Sequence, residues 1–292
     1  MKDYFRPKDY LRPRDISEVV VILSSFGDKA KIIAGGTDLL VQRPTGVECL
    51  VDISNLGLDY IKKEKDRLYI GATTVVNALR SSRVLLQEPY RVLSEAANSL
   101  ATATIRNMAT MGGNLCNASP AADLSLPLMA LDATTVAWGP RGKREIHIKD
   151  FFKSVNLTAL EKDEILTEIL IPQSAPKAMG CFVKLRHHQT AIDIAVVNVA
   201  TLLIWKNGFC EKAKIAMGSV APTPIYASSA ETLLAGKELD EEIIQEAAEA
   251  AAKESRPIDD HRASATYRKR MVSVLVKRAL ESSWRRSRLW QK

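Results

Sequence analysis

The sequence predicts a chain of mixed α and β structure divided into two or three compact units. Three observations point there. The length of 292 residues exceeds what one core ordinarily organises. Short strand-like runs alternate with apolar runs of helical spacing from end to end. A joint rich in Pro, Ser and Ala at Pro172 to Pro176 then marks off the last third. A hydrophobic fraction of 46% with 26% charged residues is that of an ordinary globular protein and excludes disorder and collagen.

Residues 1–55 read as a small α/β unit. Ile16 to Leu23 has the spacing of a helix, with a cap at Asp15 or Ser17. Ala30 to Ala34 is a short strand that runs into Gly35-Gly36-Thr37-Asp38 and the apolar Leu39-Leu40-Val41, and Cys49 to Ile53 is a second strand. Residues 56–175 open with a strand over Asp66 to Ala72. Thr74 is placed to cap a helix over Val75 to Arg80, and a longer helix covers Pro89 to Leu100. Ser125 to Leu131 is helical, and Thr134 to Trp138 is a strand ended by the turn Gly139-Pro140-Arg141-Gly142. Ile165 to Ile171 alternates and stops at Pro172, as a strand should. In residues 176–292, Ala191 to Trp205 is almost continuously apolar. A buried helix and a strand pair both fit it, because periodicity does not decide. Asn207-Gly208 is a turn, Lys212 to Met217 a strand, and Ser228 to Leu234 and Asp240 to Glu254 are helices. The second of these helices begins with acids, which favour its positive end. A last helix spans Ser264 to Ser282.

The net charge of +7 suits an anionic partner: nucleic acid, a phosphorylated cofactor or an acidic protein surface. Aromatics are 6% and do not interleave with basic residues as base-stacking platforms do, which argues against nucleic acid. No apolar run reaches about 18 residues, so no membrane span is expected. Met1 to Arg14 is polar and broken by Pro7 and Pro13, unlike a secretory segment. Cys49, Cys116, Cys181 and Cys210 are too dispersed for a CxxC knuckle or an iron–sulfur run, and suggest reduced thiols and a cytoplasmic location. His147, His187, His188 and His261 form no HExxH pattern, and adjacent histidines on a strand point to opposite faces, so no metal site is expected.

Two glycine-bearing segments carry chemistry. In Ala34-Gly35-Gly36-Thr37-Asp38, paired glycines after a strand can turn sharply and expose consecutive N–H groups to phosphate oxygens. Asp38 suits hydrogen bonds from a hydroxyl or from loop N–H groups. Thr110-Met111-Gly112-Gly113-Asn114 is a second loop of similar build, followed by Asn117-Ala118-Ser119-Pro120-Ala121-Ala122-Asp123. A plain turn is the competing reading of each. Neither is a GxGxxG fingerprint or a GxxxxGK[ST] loop. Together they suggest a diphosphate gripped across a crevice, with Asn114, Ser119 and Asp123 as hydrogen-bonding partners.

The segments Ala34 to Leu39, Thr104 to Leu115 and Ala118 to Asp123, in that order, resemble the FAD-binding subunit of molybdenum hydroxylases. The likeness continues through Glu164 to Glu168, Lys184 to Arg186, Asp193 to Val197, Ala221 to Pro224 and Tyr267-Arg268, and so covers nearly the whole chain. The resemblance implies an α+β fold. A two-part FAD-binding fold of the vanillyl-alcohol oxidase and molybdenum hydroxylase type (1–55 and 56–175) is followed by a small C-terminal α/β domain (176–292) with a three-stranded antiparallel sheet. It implies that Ile32, Ile33, Ala34, Gly35, Gly36, Thr37 and Asp38 surround the FAD diphosphate, and that Thr110, Gly113, Asn114 and Ser119 form the second grip. Asp123 would bond the ribityl or ribose part. Leu100 and Leu166 would pack near the isoalloxazine, and Lys184 would approach the ring. Leu100 and Leu166 also read as plain core residues, and Lys184 as a lysine reaching from a strand to solvent. Arg106 could pair with phosphate or bridge helices, and Cys116 reads first as a packing residue. The run Arg186-His187-His188 departs from the family pattern, which usually has adjacent arginines there.

The same resemblance implies partners. A small subunit would hold [2Fe–2S] clusters and a large one a molybdopterin-type molybdenum cofactor, as a dimer of heterotrimers, with NAD+ or another acceptor taking the electrons from FAD. No catalytic side chain is expected in this chain, and the substrate belongs to the large subunit. A stand-alone FAD-dependent oxidoreductase and a non-enzymatic assembly module are the rival readings. The C-terminal run Trp284, Arg285, Arg286, Arg288, Leu289, Trp290 and Lys292 reads either as a solvated basic tail or as a subunit contact.

Overall fold

The structure, a computed structural model, describes residues 5–173, 177–187 and 194–290, with the side chains of residues 289 and 290 left aside. The first unit holds β1 (Asp9–Leu11), α1 (Ile16–Phe26), β2 (Ala30–Ile33), α2 (Leu39–Gln42) and β3 (Cys49–Asp52). Its strands make a parallel sheet in the order β1-β3-β2. Of the two expected caps, Asp15 serves: its carboxylate accepts the Glu18 N–H at 2.9 Å, one of the donors a helix start leaves orphaned. Val19, Val20 and Leu23 of α1 pack with Cys49 and Val51 of β3.

The second unit begins with β4 (Ile61–Glu64), β5 (Arg67–Gly71), α3 (Val76–Ser81), α4 (Arg91–Ser99), α5 (Ala103–Arg106), α6 (Met111–Cys116) and α7 (Ser125–Ala130). It continues with β6 (Thr134–Gly139), β7 (Gly142–His147), α8 (Ile148–Phe151), β8 (Phe152–Ser154), β9 (Leu157–Thr158) and β10 (Ile165–Pro172). Five strands form an antiparallel sheet in the order β4-β5-β10-β6-β7. Thr74 is not the cap of α3. Its hydroxyl donates to the Tyr60 carbonyl at 3.0 Å, and α3 begins after Val75 with no side-chain cap. Glu164, buried below β10, is held by both ends of the Arg144 guanidinium at 2.7 Å.

The third unit contains β11 (Ala178–Arg186), β12 (Ala195–Lys206), β13 (Phe209–Gly218), β14 (Ile225–Tyr226), α9 (Ser228–Leu234), α10 (Glu241–Glu254) and α11 (Ala265–Trp290). Its antiparallel sheet has the order β11-β12-β13-β14, so the expected three strands gain a fourth of two residues. The long apolar run is one twelve-residue strand, β12, with residues 191–193 outside the described region. It shows no alternation because both of its faces are covered. Val197, Val199, Leu203 and Trp205 pack under α9, α10 and α11, whereas Ala200 and Leu202 join the core of the second unit.

The last helix runs past its expected end and does not form a free tail. Arg286 reaches back to the Gly180 carbonyl of β11 at 2.6 Å and to Glu95 of α4 at 2.5 Å. Glu88 and Glu95 in turn accept the N–H groups of Gly180 and Phe182. At the other end of this seam Arg186 donates to the Ser99 carbonyl at 2.7 Å. The third unit is therefore fastened along α4, the helix that ends at the cleft described below. No helix among the described residues is long and apolar enough to cross a membrane.

Candidate functional site

A cleft of about 890 Å³ lies between the first and second units and reaches β11 of the third. All the candidate residues line it: Ile32, Ile33, Ala34, Gly35, Gly36, Thr37 and Asp38 from one wall, Thr110, Gly113, Asn114, Ser119 and Asp123 from the other, with Leu100, Leu166 and Lys184. Its size falls within the range of small-molecule and cofactor sites, and its lining mixes apolar side chains with a few convergent polar groups.

The first wall is the turn from β2 to α2. Ile32 and Ile33 lie in β2 itself, and the turn proper starts after them. A Cβ at Gly35 would stand 1.8 Å from the Met108 carbonyl oxygen, so only glycine lets the two units meet there. Gly36 has φ +67°, the left-handed region open to glycine at little cost. The N–H groups of Gly35, Gly36, Thr37 and Asp38 have no hydrogen-bond acceptor among the described residues. The Asp38 carboxylate also lacks a partner among them, and burial in the cleft raises its pKa. The expected loop N–H bonds to this carboxylate do not form.

The second wall differs. The segment expected as a loop is the N-terminus of α6, with Thr110 as its cap. Thr110 Oγ1 accepts the Gly113 N–H at 3.0 Å, Met111 N–H donates to Thr74, Gly112 N–H donates to Ala72 at 2.8 Å and Asn114 N–H to Thr110. A Cβ at Gly112 would lie 2.8 Å from the Ala72 carbonyl oxygen, so this glycine serves close backbone packing. Gly113 is exposed to the cleft. Asn114 Oδ1 accepts the Leu124 N–H at 3.3 Å and Ser119 Oγ the Ala121 N–H at 3.3 Å.

Asp123 and Lys184 form a buried ion pair at 2.6 Å, each side chain 5% exposed. Asn198 Nδ2 donates to the other Asp123 oxygen at 3.0 Å. Burial raises the Asp123 pKa, and the Lys184 charge and the hydrogen bonds from Lys184 and Asn198 work against it. Lys184 is thus not a strand lysine reaching to solvent; it points into the protein toward the cleft. Leu100 (9% exposed) and Leu166 (3%) are core residues whose edges line the cleft. Leu166 sits beside a β-bulge between β10 and β6, a feature that re-aims strand side chains. Arg106 bridges: its Nη1 donates to the carbonyls of Leu100 at 2.8 Å and Ala101 at 2.6 Å. Cys116 lines the cleft and is an exposed free thiol.

The structure adds residues that the sequence did not single out. Gln42 Nε2 donates to Asn117 Oδ1 at 2.9 Å and Lys162 donates to Asp28 at 2.5 Å, and both bonds join the first unit to the second at the cleft. Ile194 adds an apolar side chain. Only Asn198 had a sequence signal, as an amide inside an apolar run. Among the described residues no group of His, Cys, Asp and Glu could hold a metal ion. His188 lies outside them. Cys49, Cys181 and Cys210 are buried free thiols.

Two family models match in tandem. The FAD binding domain in molybdopterin dehydrogenase covers residues 4–174, and the CO dehydrogenase flavoprotein C-terminal domain covers 182–283. The chain is 33% identical to the carbon monoxide dehydrogenase medium chain of Hydrogenophaga pseudoflava over 97% of each sequence. It is 31% identical to the xanthine dehydrogenase FAD-binding subunit of Escherichia coli O157:H7, over 87% of this chain and 89% of that subunit. Its fold superimposes with a TM-score of 0.92 on the Hydrogenophaga pseudoflava carbon monoxide dehydrogenase lacking the Mo-pyranopterin moiety, covering 96% of this chain and 98% of that one at 33% identity.

Proposed function

Since the chain belongs to the FAD-binding medium subunits of the molybdenum hydroxylase family, we propose that it is the electron-transfer subunit of a cytoplasmic hydroxylase complex. Electrons would arrive from [2Fe–2S] clusters of a small iron–sulfur subunit and leave to NAD+ or another acceptor. The large subunit would carry the molybdopterin-type molybdenum cofactor, in a dimer of heterotrimers.

The observation that carries this reading is the row of N–H groups from Gly35 to Asp38 with no acceptor among the described residues, in a wall of a cleft that Leu100, Leu166 and Ile194 also line. Successive free N–H groups make a concavity that holds phosphate oxygens. Apolar edges at Leu100, Leu166 and Ile194 suit a flat ring system. These residues fit FAD. When bound, FAD supplies the redox chemistry and a store for two electrons. The chain's own residues bind and orient. Gly35, Gly36 and Thr37 would hold the diphosphate, and Ser119 and Asn114 would meet hydroxyls on the opposite wall. Lys184, held by Asp123 at 2.6 Å, would place its ammonium near the ring and favour the reduced, more negative form. No side chain of the cleft is needed as a nucleophile or general base.

The test is reconstitution. The purified chain should take up one FAD, release FAD and not FMN on acid treatment, and give a flavin absorbance spectrum. Gly113→Asp, which puts a charge on the cleft side of α6, should weaken uptake. A chain that stays colourless after incubation with FAD refutes the proposal.

A further inference from the structure

The positive charge of this protein is not spread over it. Residues 265–292 carry nine Lys and Arg against one acid, Glu281, whereas the whole chain carries 41 against 34. The rest of the chain, 32 against 33, is close to neutral. The last helix alone therefore accounts for the net charge of +7.

The helix segregates this charge. Val272, Leu275, Val276, Ala279 and Leu280 are buried against α10 and the third-unit sheet. Arg268 is buried and bonded to Asp260 and to the carbonyls of Val196 and Ser219, while Arg286 closes the seam on α4. Arg270, Arg278, Arg285 and Arg288 remain exposed. At 100° per residue they fall within about 80° of one another around the helix and span about 27 Å along it. Tyr267, 46% exposed, lies on the same stripe at its N-terminal end. Beside Arg270 a shallow groove of about 610 Å³ between α10 and α11 is lined by Lys253, Lys269 and Ser273, with Glu249 as its one acid.

We propose that this arginine stripe of α11 is a docking surface for an acidic face of a partner protein, one of the other subunits of the complex. This rests on the functional reading above. Exposed arginines present planar donor forks that match carboxylates, and Arg, Tyr and Trp are the residues that concentrate binding energy at interfaces. The Arg288 guanidinium stacks 5.3 Å from the centre of the Trp284 ring, a contact that lowers the entropy lost on docking. Arg285 holds only an exposed contact to Glu281 at 3.3 Å, which a partner carboxylate can replace at little cost. A second copy of this chain is a poor occupant, because a two-fold contact would set the stripe against itself. Nucleic acid is disfavoured by the lack of stacking platforms along the stripe: Trp284 lies under Arg288, and Tyr267 stands at one end.

The test uses the complex that co-purifies with the full chain and the triple variant Arg270→Glu, Arg278→Glu, Arg288→Glu. None of these side chains touches the cleft, so FAD uptake by the purified variant should equal that of the wild type. Failure of the wild-type chain itself to bind FAD overturns the functional reading, and that result is separate. Reassembly with the remaining subunits should weaken on the order of 100-fold in the variant, and wild-type reassembly should weaken steeply between about 50 and 300 mM salt. Amides of α11 should gain hydrogen-exchange protection on assembly. Undiminished assembly of the variant, self-association of the wild type through this face, or tighter binding of a 20-base-pair DNA duplex than of the partner subunits overturns the proposal.

Discussion

The two walls of the cleft were written in similar sequence and are built differently. Gly35-Gly36-Thr37-Asp38 leaves its backbone donors without an acceptor among the described residues, whereas the donors of Met111, Gly112, Gly113 and Asn114 are consumed inside the second unit. A pair of glycines thus has two physical uses. At Gly35 the missing side chain lets one unit touch another and opens a concavity. At Gly112 it lets a short helix sit on the backbone of Ala72. The first wall keeps donors that no described residue takes up, while the second spends the N–H groups at the start of α6 within its own unit and leads to the Asp123–Lys184 pair.

Four substitutions sharpen or break this contrast, from the largest effect down. Lys184→Met leaves Asp123 buried without its counter-charge and should cost about 3–5 kcal/mol at neutral pH, read from the denaturant midpoint. Burial already raises the Asp123 pKa, and the variant raises it further. A carboxyl whose folded pKa exceeds its unfolded value of about 3.9 destabilises as pH rises past that value. The deficit of the variant should therefore shrink as the pH is lowered toward about 4. Gly35→Ala forces the turn away from Met108 and should cost about 3 kcal/mol, with FAD affinity falling about 100-fold. Gly112→Ala should destabilise by about 2 kcal/mol, and FAD affinity measured well below the melting temperature should change far less than in Gly35→Ala. Equal losses of affinity in the two glycine variants would erase the distinction between the walls. Thr110→Ala removes the cap of α6 and should cost about 1 kcal/mol by thermal melting.

Much of the fold was legible in local pattern. The cap at Asp15, the acidic start of the helix at Asp240, the strand ended by Pro172 and the turn at Asn207-Gly208 all form, because each depends on a few neighbouring residues. Thr74 failed as a cap because the Tyr60 carbonyl, fourteen residues earlier in the chain, claims its hydroxyl. The second glycine segment was misread as a loop because glycines lower helix propensity, and the packing of α6 on Ala72 overrides that. Arg286 shows the same limit. In sequence it belongs to a basic tail, and its partners Glu88 and Glu95 come from the second unit.

The sequence by itself determined the membership of this chain in its family, many of its helices and strands, and a set of residues that all come to line one cleft. Those properties are carried by short runs, where spacing, caps and glycine placement act over a few residues. Only the tertiary structure decided which glycine N–H groups stay free, that Asp123 holds Lys184, and that β12 is one strand buried on both faces. Each of these depends on groups far apart in the chain competing for the same hydrogen bond or the same buried surface. Free energy settles that competition only once the three units have packed together.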